Sequence, residues 1–346
     1  AFRTGCATTD AGPAGAKQFQ KRTRMKKLSI ILAAALAVTA FSSCAKKGPL
    51  YPVLKDGKWG YINAAGAMVI QPAYEYALEF SDGLAAVRLN AAFGFIDESG
   101  RMAIPARFQW ADTFAEGRAA VKLDDKVGYV DRGGKLAIEP RFVYASSFSQ
   151  GRACVRVEGK YGYIDTAGKM VIPPQFDYAG DFQEGRACVR KGNSFGFIDL
   201  NGAMTVMEGL QCVSRFSGGL ACVQKGGKSG FVDAAGKMAI EPRFDRAWDF
   251  SEGLATVKVG AAYGYIDATG NAVIPPQYEF ATVFAEGLAA VRKGGKYGYI
   301  DKVGKMVIPP RFDIAWKFER GLAFVRIGDE YGYVDGQGRT VWAPTK

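Results

Sequence analysis

An all-β fold is predicted, a tandem array of nine 34-residue units, and three observations carry that expectation. An aromatic-Gly-aromatic pattern places its glycine at Gly60, Gly94, Gly128, Gly162, Gly196, Gly230, Gly264, Gly298 and Gly332, an interval of 34 residues every time. A second glycine follows six residues later, from Gly66 to Gly338, and a third closes each unit, from Gly83 to Gly321. The unit also carries prolines, and three glycines with a Pro-Pro would ruin a pair of helices, which excludes the helical repeats that share this period.

The unit Leu288 to Arg320 shows each element in order. Leu288-Ala-Ala-Val-Arg292 alternates, with Ala289 and Val291 on one face and Ala290 and Arg292 on the other, so it is a strand. Gly294-Gly295-Lys296 supplies a tight turn, and Tyr297-Gly-Tyr-Ile-Asp301 is a second, aromatic strand. Asp301-Lys-Val-Gly304 has the chemistry of a type I turn ending in a left-handed residue. Lys305 to Ile308 is the third strand; Pro309-Pro310 ends its pairing, and Phe312 to Arg320 is a connection. Each unit is thus a three-stranded antiparallel meander.

One such unit cannot fold alone. Six to eight large apolar side chains at ~1.5–3 kcal/mol each do not offset ~1–2 kcal/mol of chain entropy for every ordered residue. Positions apolar in every copy must therefore pack on the adjoining unit. They include the Ala-Val pair, the Ile/Val before each Asp, and Phe80, Phe114, Phe148, Phe182, Phe216, Phe250, Phe284 and Phe318 in the connections.

The pattern Gly-Lys-aromatic-Gly-Tyr-Ile-Asp-x-x-Gly-Lys-x-Val-Ile-Pro-Pro-x-Phe, then Phe-x-Glu-Gly-Leu-Ala-x-Val, stands almost entire at residues 295 to 325 and resembles the WG, or KWG, repeat family of bacterial proteins. The resemblance covers residues 55 to 343. Literal Trp-Gly survives only at Trp59-Gly60; elsewhere Tyr, Phe, Val127 or Ser229 takes the tryptophan position. The fifth unit departs: Met204-Thr-Val-Met-Glu208 lacks the prolines and Cys212 replaces an aromatic, which predicts a kink or loosening there. Membership implies a β-rich array and no shared reaction.

Three-stranded units, nine in number, favour an open superhelical array over a closed propeller, whose usual rings hold four to eight four-stranded blades. The last unit, stopping at Trp342-Ala-Pro344, is then a hairpin that caps the end.

Before the array, residues 1–24 start without Met and are read as an upstream extension, and residues 25–43 as a lipoprotein signal peptide. Lys26 and Lys27 precede an apolar run from Leu28 to Phe41, then Ser42-Ser43-Cys44. At ~1.5 Å per residue this run is too short for a ~30 Å hydrocarbon core. The small residues before Cys44 resemble a lipobox, which implies that the Cys44 thiol is acylated and becomes the mature N-terminus. Residues 44–54 are a short tether, and 55–346 the array. Removing residues 1–43 takes seven Lys/Arg and one Asp from totals of 45 and 34, leaving 38 and 33, so the mature net charge is +5 rather than +11. That balance, with both signs interspersed, is not the footprint of a nucleic-acid binder.

Chemistry is sparse. The chain has no histidine, which removes Ser-His, Cys-His and imidazole-metal mechanisms together. Asp97, Asp131, Asp165, Asp199, Asp233, Asp267, Asp301 and Asp335 share one repeat position in Asp-x-x-Gly, as turn caps rather than an acid/base pair. Cys154, Cys188 and Cys222 share another; without C-x-x-C spacing or His they are small packed thiols, with disulfides among them and Cys212 undecided. Gly227-Lys228-Ser229 lacks the upstream glycine and the helix of a phosphate loop. A membrane β-barrel needs strands of ~9–11 residues, which these are not. No cofactor or metal site is read.

Two candidate binding features remain. Arg88, Lys122, Arg156, Arg190, Lys258, Arg292 and Arg326 form a basic ladder, one per unit with Gln224 as the gap. Pairing with cross-strand acids competes with a track for an anionic polymer or partner. Trp110, Trp248 and Trp316 fall in the connections, where burial competes with a stacking or sugar-binding platform. The expected protein is exported, lipid-anchored in the cell envelope at the outer membrane, periplasm or cell surface. Its array is expected to serve as a binding or scaffolding surface for an envelope protein, without catalysis and without nucleic acid. Its alternatives are an envelope glycan-binding protein and, less favoured, a glycoside hydrolase using two carboxylates.

Overall fold

The computed structural model describes residues 48–343, without the side chains of residues 212 and 213. The upstream extension, the signal peptide and Cys44 lie outside the described residues. The first sheet has strands β1 (Leu50–Lys55), β2 (Lys58–Asn63) and β3 (Met68–Tyr74), and the second has β4 (Tyr76–Ala77), β5 (Leu84–Leu89), β6 (Ala92–Asp97) and β7 (Met102–Phe108). Seven further four-stranded antiparallel sheets follow among the described residues, ending with Ile314–Glu319, Leu322–Ile327, Glu330–Asp335 and Thr340–Trp342. We number these nine sheets as blades 1 to 9.

Four strands, not three, make the unit. The connection after each third strand pairs with the first strand of the next unit: Tyr76 stands opposite Arg88 and Ala77 opposite Val87. The Glu75 and Leu78 amides donate to the Arg88 and Ala86 carbonyls at 2.9 Å on either side. β1 begins inside the segment read as a tether, since residues 50–54 of it, together with Lys55, pair residue for residue with β2.

The outer strand runs through its prolines instead of stopping at them. In blade 8 it spans Met306–Phe312, and the register passes from Tyr299↔Ile308 to Tyr297↔Phe312, a bulge at Pro309-Pro310. An edge strand tolerates residues without N–H groups, and the bulge absorbs them. The close approach of the outer strand, bulged or plain, explains the glycine of the aromatic-Gly-aromatic motif: in the unbulged fifth unit a Cβ on Gly196 would likewise run into the Thr205 carbonyl oxygen. A Cβ on Gly162 would lie 2.6 Å from the Ile172 carbonyl oxygen and 2.7 Å from the Pro174 nitrogen. The fifth unit, lacking prolines, has a plain four-residue strand Met204–Met207 with no register shift, and blade-to-blade packing continues through it.

Both faces of each sheet are covered by neighbouring blades, so Ala85, Ala86 and Val87 are all fully buried although they alternate in direction. The recurrent phenylalanines pack between blades as expected. Phe182 meets Tyr163 edge-on at 4.8 Å, and Phe114 meets Phe95 at 4.9 Å. Polar latches repeat the same offsets: Tyr163 Oη donates to the Gly180 carbonyl at 2.7 Å, Ser149 Oγ to the Phe182 carbonyl at 2.7 Å, and the Gly151 amide to the Glu116 carboxylate at 2.9 Å.

The array closes. Tyr51, Val53 and Ile62 of blade 1 share one core cluster with Leu322 and Tyr333 of blade 9. Tyr333 Oη donates to the Pro52 carbonyl at 3.0 Å, the Arg320 guanidinium to the Phe80 carbonyl at 2.8 Å, and Tyr51 Oη to the Arg320 carbonyl. The result is the propeller-like closed ring rather than the open superhelix favoured from strand count. The error followed from counting three strands per unit: with four, the sheets are ordinary propeller blades. The last unit is not a capping hairpin either, because its strands complete blade 9 and seal the ring.

Candidate binding annulus

The inner strands line a cavity of about 1350 Å³ inside the ring, bounded by residues of blades 4 to 9 including Tyr144, Tyr178, Ser217, Trp248, Phe284 and Lys317. The inner strands also carry the candidate site, of which Tyr144 and Tyr178 line this cavity. The first residue of the inner strand points outward there, and in five blades it is an exposed aromatic: Tyr76 (45% exposed), Trp110 (39%), Tyr144 (46%), Tyr178 (51%) and Phe280 (37%). An exposed aromatic once could be chance; the same position repeated around a ring is a surface.

The basic ladder lies beside these aromatics. Five of the seven ladder residues stand directly opposite an exposed aromatic in the strand register: Tyr76↔Arg88, Trp110↔Lys122, Tyr144↔Arg156, Tyr178↔Arg190 and Phe280↔Arg292; Lys258 faces Arg246 and Arg326 faces Ile314. Of the three candidate tryptophans, Trp110 is brought opposite a ladder base, whereas Trp248 and Trp316 lie two residues beyond that position in their own strands. Half-buried aromatics of the second strand fill the gaps, with Trp59 and Phe93 flanking Tyr76 at 6.3 and 6.1 Å. Tyr263 and Tyr297 flank Phe280 at 5.3 and 6.0 Å.

The ladder's partners divide. Arg88 and Arg292 approach Glu75 and Glu279 at 3.6 Å, and Lys122 pairs with Asp125 at 2.9 Å, exposed contacts worth at most ~1 kcal/mol. Arg156, Lys258 and Arg326 sit over Tyr161, Tyr263 and Tyr331 at 5.5, 5.6 and 6.0 Å. Arg190 has no ion-pair partner within 4.0 Å among the described residues. Cross-strand acids do exist, but Asp177 and Asp245 cap the next hairpin through the Gly192 and Gly260 amides and pair with Lys160 and Lys228. Those hydrogen bonds, from Lys160 and Lys228 first, hold both carboxyls below the usual range.

Trp316 is 41% exposed, with its ring 5.1 Å from Phe324 and 6.4 Å from Tyr331. Trp248 is half-buried on the cavity wall, 5.6 Å from Tyr263. Trp110 and Trp316 are thus not buried in the connections. Sequence reasoning missed Tyr76, Tyr144, Tyr178 and Phe280; the signal was an aromatic twelve residues before five of the seven ladder bases, hidden because only tryptophan was followed.

The repeated aspartates are turn caps. Asp131 Oδ1 accepts the Gly133 and Lys135 amides at 3.0 Å, and the same pair of bonds recurs from Asp97 to Asp335. Cys154 and Cys222 are free and buried, and burial pushes both thiols up to about 12. Cys188 of the same ladder is disulfide-bonded. A carboxyl pair does occur at the ring seam, where Glu79 and Glu319 feel each other's charge. Burial, then the Glu319 charge, raises Glu79 against the opposing pull of Arg320 and Lys317.

The profile described as WG containing repeat matches eight times, at residues 59–91, 93–126, 128–161, 161–194, 213–228, 230–261, 263–297 and 297–331. No curated protein matches the chain. The ring is similar to a crystal structure of a eukaryotic initiation factor, with a TM-score of 0.62 at 12% identity over 85% of this chain and 95% of that one. It also aligns with PorZ, a surface component of the type-IX secretion system of Porphyromonas gingivalis, at a TM-score of 0.35 and 10% identity over 84% of this chain and 45% of that one. A third alignment, to Kluyveromyces lactis Hsv2p, has a TM-score of 0.37 at 10% identity over 54% and 71%. At these identities the first likeness concerns the fold alone.

Proposed function

The chain belongs to the WG-containing repeat family, and from that premise we propose a non-catalytic binding protein, exported and anchored through Cys44, whose annulus captures a glycan of the cell envelope. The observation that carries this reading is the pairing of an exposed aromatic with a cation in blade after blade. Flat aromatic faces stack on the apolar faces of sugar rings, and neighbouring guanidinium and ammonium groups donate to hydroxyl or acidic oxygens. Repetition suits a polymer, because several weak sites engaged together raise avidity without any single deep pocket.

Scaffolding of an envelope protein by the ladder alone takes second place, since the ladder does not stand apart from the aromatics. Catalysis finds no support in the turn aspartates, whose Oδ1 atoms are consumed by backbone amides. The first test is retention on immobilised envelope glycans. Wild type is expected to bind, and the Tyr144→Ala/Tyr178→Ala double variant to lose retention while keeping its melting temperature. Equal retention by the two proteins, or binding only to a protein fraction in a salt-sensitive way, refutes glycan capture. Anchoring is tested separately: Cys44→Ala is expected to abolish acyl labelling, and unchanged labelling refutes it.

A further inference from the structure

The annulus is not uniform, and its irregularity points to the charge of its ligand. Between blades 5 and 8 the aromatic series is interrupted. Blade 6 places Gln211 opposite Gln224 and a buried serine, Ser229, where other blades have a second-strand aromatic or Val127. Blade 7 places Arg246 directly opposite Lys258. Like charges directly opposite on antiparallel strands destabilise a sheet, so this pair is a cost to the fold. Asp245 offsets the repulsion only in part: it feels the Lys258 charge, but its direct hydrogen bonds go to Lys228 Nζ at 2.6 Å and the Gly260 amide at 2.6 Å. Deeper in the cavity Arg215 is matched by Asp249 at 3.4 Å. Arg190, on the other side of the glutamine pair, is exposed, and neither it nor Arg246 has an ion-pair partner within 4.0 Å among the described residues. Lys258 lies over the Tyr263 ring at 5.6 Å, and the ladder cations other than Arg190 lie against acids or over rings as well, so Arg190 and Arg246 stand apart.

We infer that the ligand of the annulus is an acidic saccharide, whose fixed negative charges sit at Arg190 and at the Arg246–Lys258 pair while its sugar faces lie on Tyr144, Tyr178 and Phe280. This rests on the glycan reading above and narrows it. The shared chemistry is a saccharide carrying carboxylate, sulfate or phosphate; guanidinium groups bind all three through paired N–H donors. The like-charge pair is explained because a bound anion removes the repulsion that the chain leaves standing.

The test compares three probes on the full chain by titration calorimetry: oligogalacturonate, dextran sulfate and uncharged dextran. Oligogalacturonate or dextran sulfate is expected to bind at least roughly tenfold more tightly than dextran at low salt, with the difference shrinking toward physiological ionic strength as screening sets in. Which of the two binds tighter assigns carboxylate or sulfate. Arg246→Gln/Lys258→Gln is expected to weaken acidic-probe binding roughly tenfold, weaken dextran binding by a much smaller factor, and raise the melting temperature by removing the repulsion. Equal affinity for dextran and the acidic probes, or no loss in the double variant, overturns the acidic inference and leaves glycan capture standing. Binding of none of the three overturns both.

Discussion

Replacing Gly162 by alanine tests the account of the aromatic-Gly-aromatic motif. The added Cβ would stand 2.6 Å from the Ile172 carbonyl oxygen, 0.4 Å inside the 3.0 Å limit that real Cβ atoms essentially never cross, and 2.7 Å from the Pro174 nitrogen. Both neighbours are backbone, so no rotamer change relieves the clash and the outer strand must move. Overpacking of this kind costs ~1–3 kcal/mol. Moving the strand also loosens the pairing of Tyr163 with Ile172 and Tyr161 with Phe176, at ~1 kcal/mol for each hydrogen bond weakened. The sum is ~3–5 kcal/mol, a fall in melting temperature of roughly 6–10 °C for a domain of this size. Gly159→Ala is the control: its φ of +84° strains any side chain, but nothing lies within 4 Å. It is expected to cost only ~1–2 kcal/mol. Scanning calorimetry of the two variants decides the matter. If Gly162→Ala melts no lower than Gly159→Ala, the close approach of the outer strand is not what the glycine serves.

Three further outcomes follow from the side-chain environments. Cys154 and Cys222, buried and raised to about 12, are expected to resist iodoacetamide at pH 8 in the folded protein and to react fully in denaturant; labelling of either in the native state contradicts their packing. Glu79, raised above its ordinary value by burial and by Glu319, holds its proton more tightly folded than unfolded, so stability is lost as pH rises through its folded value. Glu79→Gln is therefore expected to raise the melting temperature at pH 7 and leave it unchanged near pH 4, and a lower value at pH 7 refutes the assignment. Asp97, held at about 2 chiefly by Ser99 and also by Arg101, contributes stability that is full above about pH 4 and lost as pH falls toward 2. Asp97→Asn should flatten the acid limb of the melting-temperature profile; an unchanged limb would place the loss elsewhere.

The period, the strands, the turn caps and the interblade phenylalanines were legible because each depends on local chemistry repeated nine times. Closure was not, since it rests on singular contacts such as Tyr333 with Pro52, which no repeat encodes. The fourth strand escaped because two residues, Tyr76–Ala77, carry too little alternation to announce a strand, and their pairing is decided by the neighbour's edge. The proline strand escaped for the opposite reason: a strong local rule against proline yields at an outer edge. At the annulus the bases were visible as a series and the tryptophans as isolated residues. Their convergence needed the register, which sets Trp110 opposite Lys122.

The seam gives the ring a history in time. Linear repeats fray from their ends, whereas here the end blades are held by contacts between residues 281 positions apart, Tyr333 and Pro52, alongside Arg320 and Phe80. Such contacts are the most costly to form early, so an arc of blades assembles first and joins last. Opening runs the same path backwards, from the joint where two carboxyls meet. Amide exchange around Tyr51 and Leu322 should therefore outpace that of the middle blades, and the ring is complete only after the final join.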